Sequence, residues 1–455
     1  MHPIGNRSNK TFIFEKMPVP AALAKMAIPT IVSQLITLFY NMADTWFIGQ
    51  TNNPYMVAAS SLVLTVFMMT TALANLFGVG GGTLAVRLLG SQQEDEARKV
   101  ASISLVMAAG AAVVFSVLCL IFMEPLLLLL GASENTLGYA KQYLLFVVVL
   151  GALPTVLSAT MSSMLRNVGY SREAAFGLGM GGLLNVALDP LLMFVLMPDG
   201  YQVAGAALAT MLSNCASLIY FVLIYRRVKG ESILAIPRGI ERVQRRSMQS
   251  LLNVGVPAAM GVLLFDITNM FLNRLSASYG DFQLAAMGIV LKVERLPLNI
   301  GVGICLGMVP LVAYNYASKS LDRMKAFFAA ARLAGLCVAL VSIVLYFFGA
   351  PWLIRTFIRE PATAGYGIQF LQARCFATPF MFLSFHMVHF MQAVDRGKIS
   401  LYLAVIRQLC LNVPIMLLLN ALFGMIGIIW TQMTADIFNV LISYLVYIRI
   451  SRQIK

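Results

Sequence analysis

Apolar segments long enough to cross a lipid bilayer limit most strongly how this chain can fold. A hydrocarbon core of about 30 Å is crossed by roughly 20 apolar residues in a helix, and twelve such segments follow one another through the 455 residues. The segments cover residues 26–49, 57–88, 100–123, 139–165, 175–197, 204–225, 251–278, 284–316, 327–349, 366–391, 400–420 and 424–447. The sequence therefore predicts an all-α membrane protein with twelve transmembrane helices.

The composition agrees with a bilayer as solvent. Charged residues make up 11% of the chain, and the mean hydropathy is +0.81, whereas soluble proteins carry roughly 25% charged residues. A net charge of +14 would suggest nucleic acid as a partner of a soluble protein. Here the basic residues lie in short loops between apolar segments and are not interleaved with exposed aromatic residues. We therefore expect the lipid bilayer as a partner and no nucleic acid.

The basic residues also predict an orientation. With an even number of spans both chain ends lie on one side, and that side holds most of the lysines and arginines. The connector at 226–250 alone contributes Arg226, Arg227, Lys229, Arg238, Arg242, Arg245 and Arg246. The opposite loops hold little beyond Arg355 and Arg359. Since positive loops stay in the cytoplasm, we expect a multi-pass protein of the bacterial inner membrane with both termini cytoplasmic.

The connector divides the chain into two similar halves. A shift of about 227 residues brings Pro29 onto Pro257 and Asn185 onto Asn412. An even number of spans in each half gives both halves the same orientation, so they are predicted to be parallel repeats with a cleft between them. The predicted units are a six-helix lobe at 1–225, the cytoplasmic connector at 226–250 and a second six-helix lobe at 251–455. Rocking of the lobes would open the cleft to each side in turn.

Intramembrane acids are the best pointers to function, because a carboxylate inside a membrane helix costs roughly 2.5–3.5 kcal/mol. Asp44 ends a polar stripe on the first helix, and Asp189 shares a face of the fifth helix with Asn185. The candidate residues for proton or sodium coupling are Asp44, Asn185, Asp189, Thr210 and Asn41. Of these, Asp44, Asn185 and Asp189 would be sodium ligands if sodium is the driver. The alternative is that the two acids only hydrogen-bond between helices.

The second half differs from the first at these positions. The repeat partner of Asp189 is Met416, and that of Asp44 is near Leu272, so ion coupling is expected in the first lobe. Asp266 is either a second coupling or substrate-binding acid or a structural residue. The group Lys292, Glu294 and Arg295 either lines the cleft or pairs internally. The candidate substrate-cleft residues are Gln34, Asp266, Asn269, Glu294 and Met260.

Motifs spread over nearly the whole chain resemble those of the multidrug and toxic compound extrusion (MATE) family. They are Pro29, Asp44-Thr45-Trp46-Phe47-Ile48-Gly49, Ala58-Ala59, Asn185 with Asp189, Gly205-Ala206-Ala207-Leu208-Ala209-Thr210, Gly255-Val256-Pro257, and Pro310 with Tyr314-Asn315-Tyr316. The resemblance implies two six-helix lobes and antiport of organic, often cationic, compounds against sodium or protons.

The resemblance also implies which residues couple the ion. The DinF-like branch keeps its cation site in the first lobe, which by motif position falls on Asp44, Asn185, Asp189 and Thr210. Another branch uses acids of the seventh and tenth helices. Asp266 lies one residue from the first of those positions, and the tenth helix has no acid before Asp395 at its cytoplasmic end.

Three functions compete at this point. The favoured one is a monomeric antiporter that exports drug-like, cationic and amphipathic compounds, with a proton or sodium as coupling ion and no cofactor. A flippase for a lipid-linked precursor would require a strongly basic cleft for a pyrophosphate group. An enzyme would require a catalytic set, such as a Ser/His dyad or a His-rich metal motif, and the sequence shows none.

Overall fold

The fold is a bundle of long helices. The computed structural model describes residues 8–230, 232–235, 243–358 and 360–452, and this part of the chain contains no strand. The helices are α1 (Ser8–Glu15), α2 (Val19–Gly49), α3 (Pro54–Gly90), α4 (Glu94–Ile121), α5 (Met123–Leu129), α6 (Glu134–Leu144), α7 (Ala152–Asn167), α8 (Ser171–Leu191), α9 (Gln202–Val228), α10 (Arg245–Ala277), α11 (Asp281–Ala317), α12 (Leu321–Phe357), α13 (Pro361–Arg374), α14 (Thr378–Ala393), α15 (Gly397–Val405), α16 (Val413–Phe423) and α17 (Met425–Ser451). The predicted loop charges at Arg238, Arg242 and Arg359 lie outside the described residues.

Several membrane-crossing helices are interrupted. Wider π-helical turns at Leu145–Leu150, Leu192–Leu196 and Ile406–Asn412 extend α6, α8 and α15. Ten helices of the described residues are long and apolar enough to cross a membrane, and the pair α6 and α7, bent by 46°, makes an eleventh. The all-α membrane fold with two lobes is thus confirmed.

The predicted span at 366–391 is not one uninterrupted helix. It is divided between α13 and α14, which have 14 and 16 residues and flank a 3₁₀ turn at Cys375–Ala377. Pro379 lies in the first turn of α14, where its missing N–H costs no helical hydrogen bond. Sequence periodicity recognised the apolar stretch but not this break.

The two lobes are formed by α2 to α9 and by α10 to α17. They meet through two long helix pairs, α3 with α10 and α2 with α11. The predicted connector is shorter in the structure, because α9 continues to Val228 and α10 already begins at Arg245.

Glycines bring the lobe backbones very close at one end of the bundle. A Cβ atom at Gly80 would lie 2.6 Å from the carbonyl oxygen of Leu251, and one at Gly307 would lie 2.6 Å from Cα of Ala27. Since real Cβ atoms do not approach other atoms that closely, these two positions require glycine for the lobes to meet. This end of the bundle also carries the beginning of α2 and the beginning of α10 next to the connector.

Polar side chains reinforce the same end. Arg87 of α3 forms an ion pair of 2.6 Å with Asp395, in the turn between α14 and α15. Ser250 of α10 accepts a hydrogen bond from Arg87 and donates one to Asp395, each at 2.9 Å. Ser247 donates to Glu96 of α4 at 2.8 Å. We call these five residues the inter-lobe latch. It joins both lobes at the connector end, and the cavity described below separates them towards the opposite end.

Candidate functional site

The first-lobe acids lie in the interior of that lobe. Asp189 on α8 is completely buried, and Asn185, one helical turn earlier, is 2% exposed. The amide of Asn185 is 3.3 Å from both Oδ1 of Asp189 and Oγ1 of Thr210 on α9. The structure thus brings these three predicted residues together across two helices.

Asp44 reaches the same place from α2. Its carboxyl group lies close enough to that of Asp189 for the two charges to interact, and Tyr143 interacts with both. The hydroxyl of Tyr143 is positioned to hydrogen-bond with the carboxyl group of Asp44. Tyr40, on α2, interacts electrostatically with Asp44 as well. The two predicted acids therefore lie close together in the structure. Two tyrosines that sequence reasoning did not single out, Tyr143 and Tyr40, lie beside Asp44.

Three oxygen atoms at this site have no hydrogen-bond partner. They are Oδ1 of Asp44, Oδ1 of Asn185 and Oδ2 of Asp189, and all three are buried. Roughly 90% or more of buried polar groups in proteins are hydrogen-bonded, so three unpartnered acceptors at one site are available to a cation or a proton. Oxygen ligands are those that hard cations prefer.

The composition of the site limits which cation it could hold. The described residues contain no group of three or more His, Cys, Asp or Glu side chains that could hold a metal ion. What the site offers instead is two carboxylates, a carboxamide oxygen and the hydroxyl of Thr210. These four groups supply few ligands compared with the roughly six to eight oxygens that calcium takes, so we expect a monovalent ion or shared protons here.

Asn41, the fifth predicted coupling residue, does not join the pocket. It is exposed on α2, and its side chain interacts with the neighbouring Tyr40. Asn41 precedes Asp44 by three residues, which on a straight helix leaves an angle of about 60° between the two side chains. That angle is enough to place Asp44 inside the lobe and Asn41 at its surface.

The second lobe contains a related arrangement with a different electrical balance. Asn412, the repeat partner of Asn185, donates to Gln432 on α17 at 3.0 Å, and Gln432 in turn donates to the completely buried Asp436. Arg407 pairs with Asp436 through contacts of 2.6 and 3.2 Å. The second lobe therefore contains a further intramembrane acid, Asp436, which sequence reasoning missed, and a guanidinium group already neutralises it.

A cavity of about 460 Å³ lies between the lobes away from the latch. It is lined by Met42, Ala43, Thr45, Trp46, Phe47 and Val186 of the first lobe and by Lys292 and Phe357 of the second. None of the five predicted cleft residues lines this cavity. Its second-lobe wall comes from α11 and α12, whereas three of the four second-lobe candidates, Asp266, Asn269 and Met260, lie on α10.

The predicted cleft residues have other surroundings. Glu294 forms a two-point ion pair with Arg374 inside the second lobe, at 2.8 and 3.0 Å. Asp266 is half-buried and interacts with Arg295. The remaining three are partly accessible positions on α2 and α10, namely Gln34, Asn269 and Met260. The charged group on α11 is thus split: Glu294 pairs internally, and Lys292 faces the cavity.

Comparisons with known proteins agree with this architecture. A family model described as MatE matches residues 29–191 and 257–439, one segment in each lobe. The chain is 28% identical over 432 residues to the multidrug export protein MepA of Staphylococcus aureus (strain MRSA252), covering 94% of both chains. It is 28% identical over 442 residues to MepA of Staphylococcus saprophyticus, covering 97% of this chain and 96% of the relative.

Solved structures share the fold. An outward-facing multidrug resistance MATE family transporter of the MOP superfamily superposes with a TM-score of 0.91 at 21% identity, covering 99% of both chains. A MATE crystal structure in the straight conformation gives a TM-score of 0.89 at 23% identity, covering 97% of this chain and 98% of the other.

Proposed function

The chain belongs to the MatE family, and on that premise we propose that it is a secondary antiporter that exports amphipathic organic compounds in exchange for protons or sodium ions. Its relatives of 28% identity are named multidrug export proteins, which supports small molecules as cargo. A transporter of this kind moves its substrate without changing it, so the chain is not an enzyme. We place it in the bacterial plasma membrane as a monomer, because one chain supplies both lobes and the cavity between them.

The observation that carries the proposal is a close pair of buried acids without basic partners in the first lobe. Asp436 and Glu294 of the second lobe each have an arginine partner. Asp44 and Asp189 have no basic partner within 4.0 Å among the described residues, and each keeps a buried oxygen without a hydrogen bond. A pair of close carboxylates titrates as a coupled unit. We propose that this pair changes the charge of the first lobe with the ion supply. The remaining intramembrane acid of the second lobe, Asp266, stands alone, interacts with Arg295 and also keeps a buried oxygen without a hydrogen bond.

The latch and the cavity suggest how ion binding is linked to export. If the connector and both termini are cytoplasmic, as the loop charges predict, the latch closes the cytoplasmic side and the cavity faces outwards. Protons or a sodium ion arriving from outside would lower the negative charge on Asp44 and Asp189 and change how α2 packs against α8. An effector shifts a conformational equilibrium only through its unequal affinity for the two states. We propose that the loaded first lobe binds substrate less tightly and favours the inward-facing state.

Replacement of either acid tests the coupling role. In everted vesicles or proteoliposomes, Asp44→Asn and Asp189→Asn should each abolish uphill uptake of fluorescent amphipathic probes. The reason is that a carboxamide cannot release a proton and has no negative charge with which to bind sodium. A cationic and an anionic aromatic probe should both be used. Asp322→Asn, an exposed acid at the start of α12, serves as control and should retain uptake. Wild-type uptake by both site variants would refute the proposal.

The coupling ion is identified by imposing a sodium gradient and a pH gradient, one at a time, on the same proteoliposomes. Sodium coupling predicts uptake with a sodium gradient at equal pH. Proton coupling predicts uptake with a pH gradient in sodium-free buffer. If folded protein shows no uptake with either gradient, the proposal of antiport is refuted.

The flippase alternative receives no support from the cavity. A pyrophosphate group would require several basic residues together, whereas Lys292 is the single basic residue among those that line the cavity.

A further inference from the structure

The cavity between the lobes has the size and the lining of a small-molecule site. Its volume of about 460 Å³ lies within the range of roughly 300–1,000 Å³ that drug-sized ligands occupy. Aromatic and aliphatic side chains supply nearly all of the wall, and Trp46 and Phe357 are 59% and 46% exposed. Such exposed aromatic surfaces facing a cavity fit a ligand with an aromatic ring system.

Lys292 is the one charged residue of the cavity wall. No carboxylate among the described residues lies within 4.0 Å of its ammonium group. It also lies on α11, one of the helices apolar enough to cross the membrane. An unpaired charge within a membrane helix is costly, and such residues commonly mark substrate pathways.

Among the described residues, no nearby acid forms an ion pair with Lys292. Glu294 follows Lys292 by two residues, which turns it by about 200° around the helix, and it pairs with Arg374. Asp266 interacts with Arg295 rather than with Lys292. On the opposite wall, Asp44 turns into the first lobe towards Tyr143. The ammonium group thus faces the cavity without a counter-ion from the protein.

We infer that the substrate supplies this counter-ion: the cavity binds aromatic compounds that carry a carboxylate, with the ring system against Trp46 and Phe357 and the carboxylate on Lys292. This inference names the substrate class of the exporter and so rests on the proposed function. A permanently cationic aromatic compound would bring a like charge next to Lys292, which is unfavourable. The expectation of a cationic substrate, which came from family resemblance, is replaced by this one for the compounds held here.

Binding of three matched probes tests the inference on purified protein in neutral detergent without any ion gradient. The probes are 2-naphthoate, its N-methylamide and (2-naphthylmethyl)trimethylammonium, and the measurement is isothermal titration calorimetry. A charge-assisted hydrogen bond contributes about 1.5–3 kcal/mol, so 2-naphthoate should bind about tenfold or more tightly than either other probe. Lys292→Gln should remove this preference, Lys292→Arg should keep it, and Lys292→Glu should reverse it in favour of the ammonium probe.

Lys325→Glu is the matched control, because this lysine is exposed on α12 and does not line the cavity. It carries the same change in net charge and should leave the ranking of the probes unchanged. Equal ranking in wild type and Lys292→Gln would overturn the inference, as would a wild-type preference for the ammonium probe. If Lys292→Glu does not fold, the pair Lys292→Gln and Lys292→Arg decides.

The outcomes separate the inference from the proposed function. If the probes rank as expected but no ion gradient drives uptake, antiport is refuted and the binding site remains. If gradients drive uptake but Lys292→Gln does not change the ranking, the substrate class is refuted and antiport remains.

Discussion

At the scale of single residues, function depends on which buried acids have a partner. Asp44, Asn185, Asp189 and Thr210 could be found from the sequence because polar side chains at helical spacing stand out in apolar segments. Tyr143 could not, since an aromatic residue in an apolar helix is most often core, and its role depends on which face of α6 turns towards α2. Asp436 was recognisable in principle, because Gln432 precedes it by four residues on the same face of α17.

The pair of Arg407 and Asp436 leads to a prediction about stability. Arg407→Met should lower the free energy of unfolding by about 3–5 kcal/mol, because it leaves the carboxylate of Asp436 buried without its cationic partner. The double variant Arg407→Met with Asp436→Leu should recover most of that loss, since both charges are then gone. Thermal unfolding in detergent measures both effects. Equal stability of the single variant and wild type would show that the pair is not buried as described.

At the scale of helices, close packing between the lobes depends on positions without a side chain. Gly307→Ala should destabilise the protein by about 1–3 kcal/mol or prevent closure at the latch end, because the added methyl group meets the backbone of Ala27. Gly288→Ala is the matched control on the same helix, with no atom within 4 Å of the added group, and should change stability by less than about 0.5 kcal/mol. Thermal unfolding of the two variants decides, and equal effects would contradict the described packing.

The latch should bias the equilibrium between the two states of the transporter. Arg87→Met removes the ion pair with Asp395 and the hydrogen bond to Ser250, so the population open at this end should rise. Gln92 and Lys398 are both exposed and lie on different lobes. Double electron–electron resonance spectroscopy with spin labels at these two positions should then show a larger fraction of long distances. Lys141→Met is the control, because it breaks an exposed ion pair with Glu124 that lies wholly within the first lobe. An unchanged distance distribution in Arg87→Met would exclude a gating role.

At the scale of the whole molecule, the sequence predicted the lobes better than the space between them. Apolar length and the internal repeat depend on local composition, which each segment carries by itself. The cavity depends on how α2 and α11 cross, and that crossing is set by contacts between distant residues such as Gly307 and Ala27. For this reason the sequence pointed to polar residues of α10 as the cleft lining. It left open whether Lys292 lines the cleft or pairs internally.

In the proposed mechanism, the membrane potential acts on the ion that loads Asp44 and Asp189. Each elementary charge that crosses contributes roughly 2.3 kcal/mol per 100 mV, which sustains about a fiftyfold concentration ratio of substrate. In the proposed mechanism, a single loading site therefore limits how steep a substrate gradient the exporter can maintain, and the same limit sets how much electrochemical energy each expelled molecule dissipates.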